Sequence, residues 1–356
     1  MQTPFCSIIV LNYQGKKIIE ATLNSVLQLN YPKNKFEIIV VDNGSKDGGK
    51  EVIDSFCHCE EQRDEAIPTR SPRFARDDKQ NQKLVTNNHQ LTTIYLPQNL
   101  GFAAGNNAGI KKTKGKYIAL LNNDCIVHKD WLKELVMVAE KNEKVFAVNP
   151  KVYLGNTNKI QNAGIHIFSN GYGQDRGATP VNKVQQYEED FGQYNKEEEI
   201  DAVCGVASLY RKSVFDQIGL LDESFFLYYE DVEISERAKK FGYKLMYTPK
   251  AIAYHQHSAS SKELSPLFVY HVEKGRLLHL IYHFPIKVYF SEYIKFSIKS
   301  LLHFGYGIKN PEKFFQQFQY LKVTLFFFFL WPYYLGKKRG QLQKIKSKTS
   351  SLPLRE

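Results

Sequence analysis

Short apolar runs that end in polar turn residues recur along the first half of the chain. Three of them span residues 5–11, 36–41 and 118–121, and each is followed at once by asparagine or aspartate. Apolar runs of this length, bounded by turn formers, are typical of strands buried in a parallel sheet. Segments with apolar residues at helical spacing lie between such runs, as in residues 16–29. This alternation predicts an α/β fold with a mixed, mainly parallel sheet flanked by helices.

Further strands and helices are predicted through residue 254. The strands span residues 92–96, 145–149, 200–210, 243–247 and 251–254. One further helix is predicted to start at Gly101, and three others span residues 131–140, 211–218 and 231–242. Repeated glycines within residues 151–199 predict loops and hairpins that cover a binding crevice.

Polar side chains at the carboxyl ends of the predicted strands are candidates for ligand binding, because ligands of open α/β sheets lie beyond these ends. Asp124, which follows Asn122 and Asn123, is placed to hold a divalent cation. Asp42 is placed to accept hydrogen bonds from a nucleotide's base or ribose. A plain turn at residues 122–124 and a helix cap or turn at Asp42 are the alternatives.

Two further candidates lie downstream. Glu230 and Asp231 precede a helical pattern, and a helix N-terminus holds a carboxylate in the charged form that a general base requires. Capping of that helix is the alternative. His255 follows a predicted strand and becomes a candidate metal ligand if the fold brings it to Asp124.

The net charge of +11 is concentrated at the C-terminal end. Residues 1–254 contain 32 Lys and Arg and 32 Asp and Glu, whereas residues 255–356 contain 16 and 5. The bases alternate with Phe, Tyr, Leu and Ile at helical spacing, which favours an anionic membrane surface over nucleic acid as the partner. The N-terminus lacks the basic and apolar segments of a secretory signal, so we expect a cytoplasmic protein.

We predict a catalytic domain in residues 1–260 and a basic, aromatic-rich helical region in residues 261–356. Residues 57–90 contain twelve charged residues and two prolines, a composition that predicts a disordered insertion. The apolar segment 323–335 is shorter than the roughly 20 residues that a spanning helix needs. We therefore expect the C-terminal region to lie on the inner face of the cytoplasmic membrane. A helical cap packed on the catalytic domain is the alternative.

Six segments within residues 5–260 occur in a recognisable order. They are CSIIVLNYQG, IIVVDNGSKDGG, NLGFAAGNNAGI, YIALLNNDCIV, VCGVASLYRKSVFDQIGLLDESFFLYYEDVEISERAKKFGYK and AYHQHSASS. In this order they resemble the family 2 glycosyltransferases with a GT-A fold, particularly the bacterial rhamnosyltransferase-like branch. Residues 57–90 lie outside the pattern.

The resemblance implies an inverting transfer of a sugar from a nucleotide-diphosphate donor to a hydroxyl of a glycan or polyprenyl-linked acceptor, in the synthesis of cell-envelope polysaccharide. It implies Asp231 as the catalytic base, with Glu230 beside it. It also implies Mg²⁺ or Mn²⁺ bound by Asp124, with His255 as a further contact. The donor-binding residues that it implies are Asn12, Tyr13, Asp42, Asn107, Asn122, Asn123 and Asp124.

One departure from the family pattern and two alternative functions bear on this interpretation. Asn122 stands where the metal-binding motif usually has its first acid, which makes the metal site less charged. A nucleotidyltransferase would use a similar sheet, although NYQGKK is a poor substitute for its Gly-rich basic loop. A catalytically inactive binding or scaffold protein is the second alternative. The absence of a G-x-G-x-x-G sequence after the first strand disfavours a dinucleotide-binding dehydrogenase.

Overall fold

The computed structural model describes residues 3–58, 90–181, 184–256 and 265–349. The strands are β1 (Cys6–Asn12), β2 (Phe36–Asp42), β3 (Gln90–Tyr95), β4 (Tyr117–Asn122), β5 (Cys125–Val127), β6 (Val145–Leu154), β7 (Lys159–Asn162), β8 (Ile165–Ile167), β9 (Gly173–Asp175), β10 (Ala178–Val181), β11 (Val184–Glu189), β12 (Glu198–Glu199), β13 (Leu209–Arg211) and β14 (Lys244–His255). The α-helices are α1 (Ile19–Leu27), α2 (Gly49–His58), α3 (Gly101–Ile110), α4 (Trp131–Glu140), α5 (Lys212–Ile218), α6 (Glu230–Lys240), α7 (Pro266–His283), α8 (Ile286–Lys309) and α9 (Phe314–Thr349). The predicted insertion falls mainly on residues 59–89, which lie outside the described residues.

The strands form a mixed sheet in the order β3-β2-β1-β4-β13-β6-β7-β11-β10. Strands β3, β2, β1 and β4 are mutually parallel, so their carboxyl ends meet at one edge. β13 runs antiparallel between β4 and β6, and β14 pairs in parallel with β6 and antiparallel with β5. The predicted fold class, a mixed sheet flanked by helices, is confirmed.

The sheet is buried on both faces. Ile8 and Val10 of β1 belong to the core that contains α1 and α4, while Ile9 and Leu11 belong to the core on the opposite face. Successive side chains of a strand point to opposite faces, so a strand covered on both sides needs apolar residues at every position. This requirement explains the uninterrupted apolar run that marks β1 in the sequence.

The prediction of a single strand over residues 200–210 is wrong, since only its last part pairs in the sheet as β13. Three consecutive backbone N–H groups before β13 donate to side chains instead of a neighbouring strand. The N–H of Val203 donates to Ser235 Oγ at 3.2 Å, that of Cys204 to Asn149 Oδ1 at 2.7 Å and that of Gly205 to Asp231 Oδ2 at 3.0 Å. The two strands predicted in residues 243–254 form the single strand β14.

The C-terminal helices share a core with the sheet domain. Leu277, Leu278 and Ile281 of α7 pack in one cluster with Phe225 and Tyr229, which lie just before α6. The inner faces of α8 and α9 extend this cluster. None of the described helices combines the length and the apolar character that a bilayer crossing requires.

Candidate active site

The carboxyl ends of β4, β1 and β2 are joined by a chain of side-chain hydrogen bonds. Asn123 Nδ2 donates to Asn12 Oδ1 at 2.8 Å, and Asn12 Nδ2 donates to Asp42 Oδ2 at 2.7 Å. The other oxygen of Asp42 accepts the N–H of Ser45 at 2.9 Å. Three residues predicted separately from three strand ends therefore form one network.

A cleft of about 480 Å³ opens at this edge of the sheet. The predicted site residues that line it are Tyr13, Asn122, Asn123, Asp124, Glu230, Asp231 and His255. Asn12 and Asp42 are buried and support the lining residue Asn123 through the hydrogen bonds above. The fold thus brings Asp124 and the Glu230–Asp231 pair to one cavity.

Asn107 occupies a different place from the other predicted donor-binding residues. It is buried on α3, where its Nδ2 donates to the carbonyl of Leu221 at 2.9 Å and to Glu223 Oε1 at 3.0 Å. Its Oδ1 accepts the N–H of Leu221 at 3.2 Å. Asn107 therefore connects α3 to the loop that precedes α6, and it is not among the described residues that line the cleft.

Asn43, Asn99 and Gly101 also line the cleft, although they were not among the predicted donor-binding residues. Asn43 Nδ2 donates to Asn99 Oδ1 at 3.0 Å and to the carbonyl of Gly101 at 3.1 Å, which ties the end of β2 to the start of α3. Gly101 has a φ of +88°, and a Cβ there would lie 2.5 Å from the carbonyl oxygen of Phe226. The Asn-Leu-Gly sequence at residues 99–101 was the available signal for this close approach.

The fold brings His255 to Asp124. His255 Nε2 lies 3.0 Å from Asp124 Oδ1, and its Nδ1 lies 2.9 Å from Gln161 Oε1. An amide oxygen only accepts, so Nδ1 carries a proton. Nε2 then faces the carboxylate either as the second N–H of an imidazolium or as a lone pair that can bind a cation together with Asp124. His255 lies next to Asp124, which was the condition for considering it a candidate metal ligand.

The metal ligands that the protein offers at this point suit a cation that binds to the protein and the substrate together. Within the described residues, no group of three or more His, Cys, Asp and Glu side chains is arranged to hold a metal ion. Asp124 and His255 supply two ligands, and Mg²⁺ is commonly held by one or two carboxylates together with substrate phosphates. Their separation of 3.0 Å is close to that of adjacent ligands in an octahedron with bonds of about 2.1 Å. The residues therefore fit a divalent cation shared with a diphosphate.

Glu230 and Asp231 are adjacent acids at the start of α6. Asp231 Oδ2 accepts the N–H of Gly205 at 3.0 Å, and Oδ1 accepts the N–H of Val232 at 2.8 Å. Glu230 is buried, and its Oε2 has no hydrogen-bond partner among the described residues. Burial raises the pKa of Asp231, and burial and the Asp231 charge raise the pKa of Glu230. Loss of hydration therefore opposes the stabilisation of the charged form that was expected from the helix N-terminus.

The loop before α6 forms one wall of the cleft in a strained conformation. Phe226, Tyr228 and Tyr229 have φ values of 65°, 66° and 71°, in the left-handed region that residues with bulky side chains rarely adopt. Each such residue costs about 1–3 kcal/mol and persists only where its surroundings hold it in that conformation. Phe102 donates its N–H to the carbonyl of Phe226 at 2.6 Å, and the Phe226 ring stacks on His271 of α7.

The helix α7 supplies part of the same wall. Leu267, Phe268 and Val272 line the cleft, and Phe268 packs edge-to-face on Tyr228. No local signal in the sequence assigned these residues to the site, because they lie beyond the catalytic domain that was predicted to end at residue 260. The observed cleft therefore has a polar edge at the strand ends and an aromatic and apolar side at α7.

Comparisons with known proteins agree with this architecture. The model of the family described as "Glycosyl transferase family 2" matches residues 7–219. The uncharacterized protein y4gI of Sinorhizobium fredii is 28% identical over 260 residues, which cover 72% of this chain and 25% of that protein. Poly-beta-1,6-N-acetyl-D-glucosamine synthase of Staphylococcus epidermidis is 24% identical over 255 residues, 70% of this chain and 49% of the synthase. This chain spans between a quarter and a half of the length of these relatives.

A solved structure shares the fold. The crystal structure of GalNAc-T7 with UDP, GalNAc and Mn²⁺ superposes with a TM-score of 0.54 at 18% identity, over 77% of this chain and 48% of that chain. The shared fold is that of the GT-A glycosyltransferases. The family model covers more than half of this chain, and the fold agrees with it. The chain therefore belongs to glycosyl transferase family 2.

Proposed function

We propose that this protein is an inverting glycosyltransferase that moves a sugar from a nucleotide-diphosphate donor to a hydroxyl of an acceptor. The observation that carries the proposal is that two acidic sites line one cleft: Asp124 with His255, and Asp231 with Glu230. Inversion needs a base on one face of the sugar and stabilisation of the leaving diphosphate on the other. The family match ends at residue 219, so the roles of Asp231 and His255 rest on the geometry of the cleft.

The donor nucleotide is proposed to bind at the polar edge of the cleft. Tyr13, Asn43 and Asn99 line this edge and offer an aromatic face and amide groups. Asp42 lies behind them, and each oxygen of its carboxylate retains a second acceptor position besides the hydrogen bond it already makes. These groups suit a base and a ribose, which combine flat apolar surface with hydroxyl donors.

Asp124 and His255 are proposed to hold Mg²⁺ or Mn²⁺ between the protein and the donor's diphosphate. A cation bound there would neutralise the negative charge that develops on the leaving diphosphate. Asn122 stands beside Asp124 in the lining of the cleft and brings no charge, so the protein contributes only one carboxylate from this turn. We therefore expect tight cation binding to require the donor.

Asp231 is proposed as the general base toward the acceptor hydroxyl. The N–H groups of Gly205 and Val232 hold its two oxygens in place. Its raised pKa makes its carboxylate a stronger base than an ordinary aspartate, which favours proton abstraction near neutral pH. Glu230 lies beside it as a buried acid that is more readily kept neutral, as its own pKa is raised well above the ordinary range.

The acceptor is proposed to be a glycan or polyprenyl-linked glycan, and the product a cell-envelope polysaccharide. The relative from Staphylococcus epidermidis is named as a polysaccharide synthase, which supports a glycan acceptor. The aromatic and apolar side of the cleft suits sugar rings or a lipid carrier. We place the enzyme on the inner face of the cytoplasmic membrane, with an anionic membrane surface as partner and no nucleic acid.

A screen of nucleotide sugars tests the proposal. dTDP-rhamnose, UDP-glucose, UDP-galactose, UDP-GlcNAc and GDP-mannose would each be tested for donor-induced thermal stabilisation with Mg²⁺ or Mn²⁺, and then for hydrolysis. At least one donor should raise the melting temperature and be turned over. An inactive scaffold would hydrolyse none of these donors. A nucleotidyltransferase would instead release diphosphate from a nucleoside triphosphate.

The variant Asp124→Ala tests the metal assignment. Metal-dependent turnover should be lost with the thermal midpoint nearly unchanged, because Asp124 lies at the rim of the sheet rather than in its apolar core. Glu143→Ala, which removes an exposed carboxylate from the α4–β6 connection, is the matched control and should keep full activity. Near-normal turnover of Asp124→Ala in Mg²⁺ or Mn²⁺ would show that the metal assignment is wrong.

A further inference from the structure

The helix α8 carries two rows of residues on opposite sides, and only one row is buried. The buried row consists of Tyr289, Phe296, Ser300 and Gly307. The exposed apolar row consists of Phe290, Ile294, Ile298, Leu301, Leu302 and Ile308. At 3.6 residues per turn the two rows lie on opposite halves of the helix. A helix of a water-soluble domain normally turns polar side chains outward, so the second row requires an explanation.

The helix α9 repeats this arrangement. Val323, Phe327 and Tyr334 face inward, and Phe327 and Tyr334 pack on each other. Leu325, Phe328 and Phe329 face outward, with exposed fractions of 48%, 63% and 71%. The two helices are in contact beside these rows, where Phe290 of the exposed α8 row packs edge-to-face on the half-buried Trp331 of α9, with ring centroids 5.2 Å apart.

Basic side chains accompany the exposed rows. Lys287 and Lys309 lie near the two ends of α8 on the same side as its exposed apolar row, and both are exposed. Lys322 and Arg339 are exposed on α9. Residues 255–356 contain 16 Lys and Arg against 5 Asp and Glu. This charge favours an anionic partner and opposes the stacking of this surface on a second copy of itself.

We propose that this outer face, formed by the exposed rows of α8 and α9 with Lys287, Lys309 and Lys322, docks on an anionic lipid membrane. The apolar side chains would enter the boundary between headgroups and acyl chains, and the Lys side chains would lie among the phosphates. The helices would lie along the surface. The inference deepens the membrane partner proposed above by naming the surface, and it holds whether or not sugar transfer is the reaction.

Flotation of the full-length protein tests the docking surface. The vesicles are phosphatidylcholine alone, or phosphatidylcholine with about one third phosphatidylglycerol. The wild-type protein should float with the anionic vesicles at low salt and bind them more weakly at high salt, where charges are screened within about 3 Å. The variant F328S/F329S should bind at least about tenfold more weakly, because two side chains that enter the membrane are removed.

Matched variants separate membrane docking from other causes. Phe191→Ser removes a phenylalanine that is 86% exposed on the sheet domain and should leave flotation unchanged. K287E/K309E keeps the apolar rows and should weaken binding to anionic vesicles, which covers the case in which F328S/F329S fails to fold. Circular dichroism, the thermal midpoint and donor hydrolysis report the fold and the activity of each variant separately.

Three results would overturn the inference. The first is a wild-type protein that stays unbound to anionic vesicles at low salt. The second is flotation of well-folded F328S/F329S at the wild-type level. The third is a stable dimer in lipid-free sedimentation that F328S/F329S abolishes, which would assign the outer face to a second copy of the chain.

Discussion

Two glutamates in the first turn of α6 show how strongly local surroundings control a carboxylate. Glu230 is buried without a positive partner among the described residues, and its pKa is raised well above the ordinary range. Burial alone would also raise the pKa of Glu233, but the Arg237 guanidinium and the imidazole of His283 lower it to about 2. Surroundings that shift the pKa values of two acids in opposite directions give the acids different roles. Glu230 belongs to the cleft, and Glu233 to the packing of α6 on α7.

At this scale, Asp231→Asn should retain donor binding and reduce transfer by about 10²-fold or more, because an amide cannot accept the proton. Initial rates and donor Kd values check this. The raised pKa of Asp231 also predicts the pH dependence of the wild type. As the pH is lowered, kcat/KM should fall with a midpoint above about 3.9, the ordinary pKa of aspartate. Glu230→Gln is the comparison of equal size. Full activity in Asp231→Asn together with inactivity in Glu230→Gln would transfer the role of base to Glu230.

The Glu233–Arg237 pair should contribute to stability rather than to catalysis. Glu233→Gln should lower the free energy of unfolding by about 3 kcal/mol, because it leaves the buried Arg237 charge without its partner. An acid whose pKa is lower in the folded protein than in the unfolded chain stabilises the folded state at pH values above its unfolded pKa. The difference between wild type and variant in urea unfolding should therefore shrink as the pH falls from about 4.3 toward about 2.

Glu236→Gln is the matched control for this pair. Glu236 lies on the same helix in a partly exposed ion pair with Lys239, and such pairs contribute at most about 1 kcal/mol. Equal losses of stability in the two variants at neutral pH would contradict the distinction between the buried pair and the exposed one.

At the scale of elements, the loop between α5 and α6 is held from three sides. Asn107 of α3 bonds Leu221 and Glu223, as described above. Lys337 of α9 reaches Asp222 Oδ1 at 2.7 Å and Ser224 Oγ at 2.6 Å, and Lys274 of α7 donates to the carbonyl of Ser224 at 2.8 Å. These contacts precede the strained residues that lead into Asp231, so they provide the external support that such a backbone requires.

Lys337 is therefore expected to be a positioning residue. Lys337→Met should lower kcat about tenfold with little change in donor Kd, because displacement of the loop misplaces the proposed base without touching the nucleotide edge. Lys337→Arg should restore part of the rate. Lys338→Met is the neighbouring control, since Lys338 bonds the carbonyl of Phe284 rather than the loop. Equal rate losses in the 337 and 338 variants would show that the role is general packing.

At the scale of the whole molecule, residues on both sides of the predicted boundary at residue 260 share one apolar core. Phe225, Tyr229 and Val232 of the sheet domain pack against α7, and a Cβ at Gly275 would lie 2.9 Å from the Tyr229 side chain. The boundary predicted from composition separates surfaces that the fold joins into one core. The inner faces of the C-terminal helices thus pack as the cap alternative describes, while the outer face of α8 and α9 stays exposed.

A chain that ends at residue 264 should consequently be damaged. It exposes the apolar side of the loop before α6 and loses Leu267, Phe268 and Val272 from the cleft. We expect a thermal midpoint lowered by several degrees or more, and loss of donor-induced stabilisation. A chain that ends at residue 340 keeps α7, α8 and Lys337 and is the comparison. Equal midpoints and equal donor response in the two chains would restore residues 1–260 as an independent domain.

Local pattern determined much of this protein. The uninterrupted apolar run of β1 exists because both of its faces are buried, so its position could be predicted from the sequence. The place of Asp42 and Asp124 followed as well, because parallel strands bring their carboxyl ends to one edge of a sheet. The helical spacing after Glu230 located the start of α6 to within one residue.

Contacts between distant segments were decided only by the tertiary structure. The approach of His255 to Asp124, the hydrogen bond from Gly205 that replaced a predicted strand and the wall formed by Phe268 of α7 leave no periodic trace in the sequence, since each depends on where another segment lies. The raised pKa of Asp231 belongs to the same class. A helix N-terminus can be recognised locally and favours the charged form, whereas loss of hydration depends on everything packed around the carboxylate.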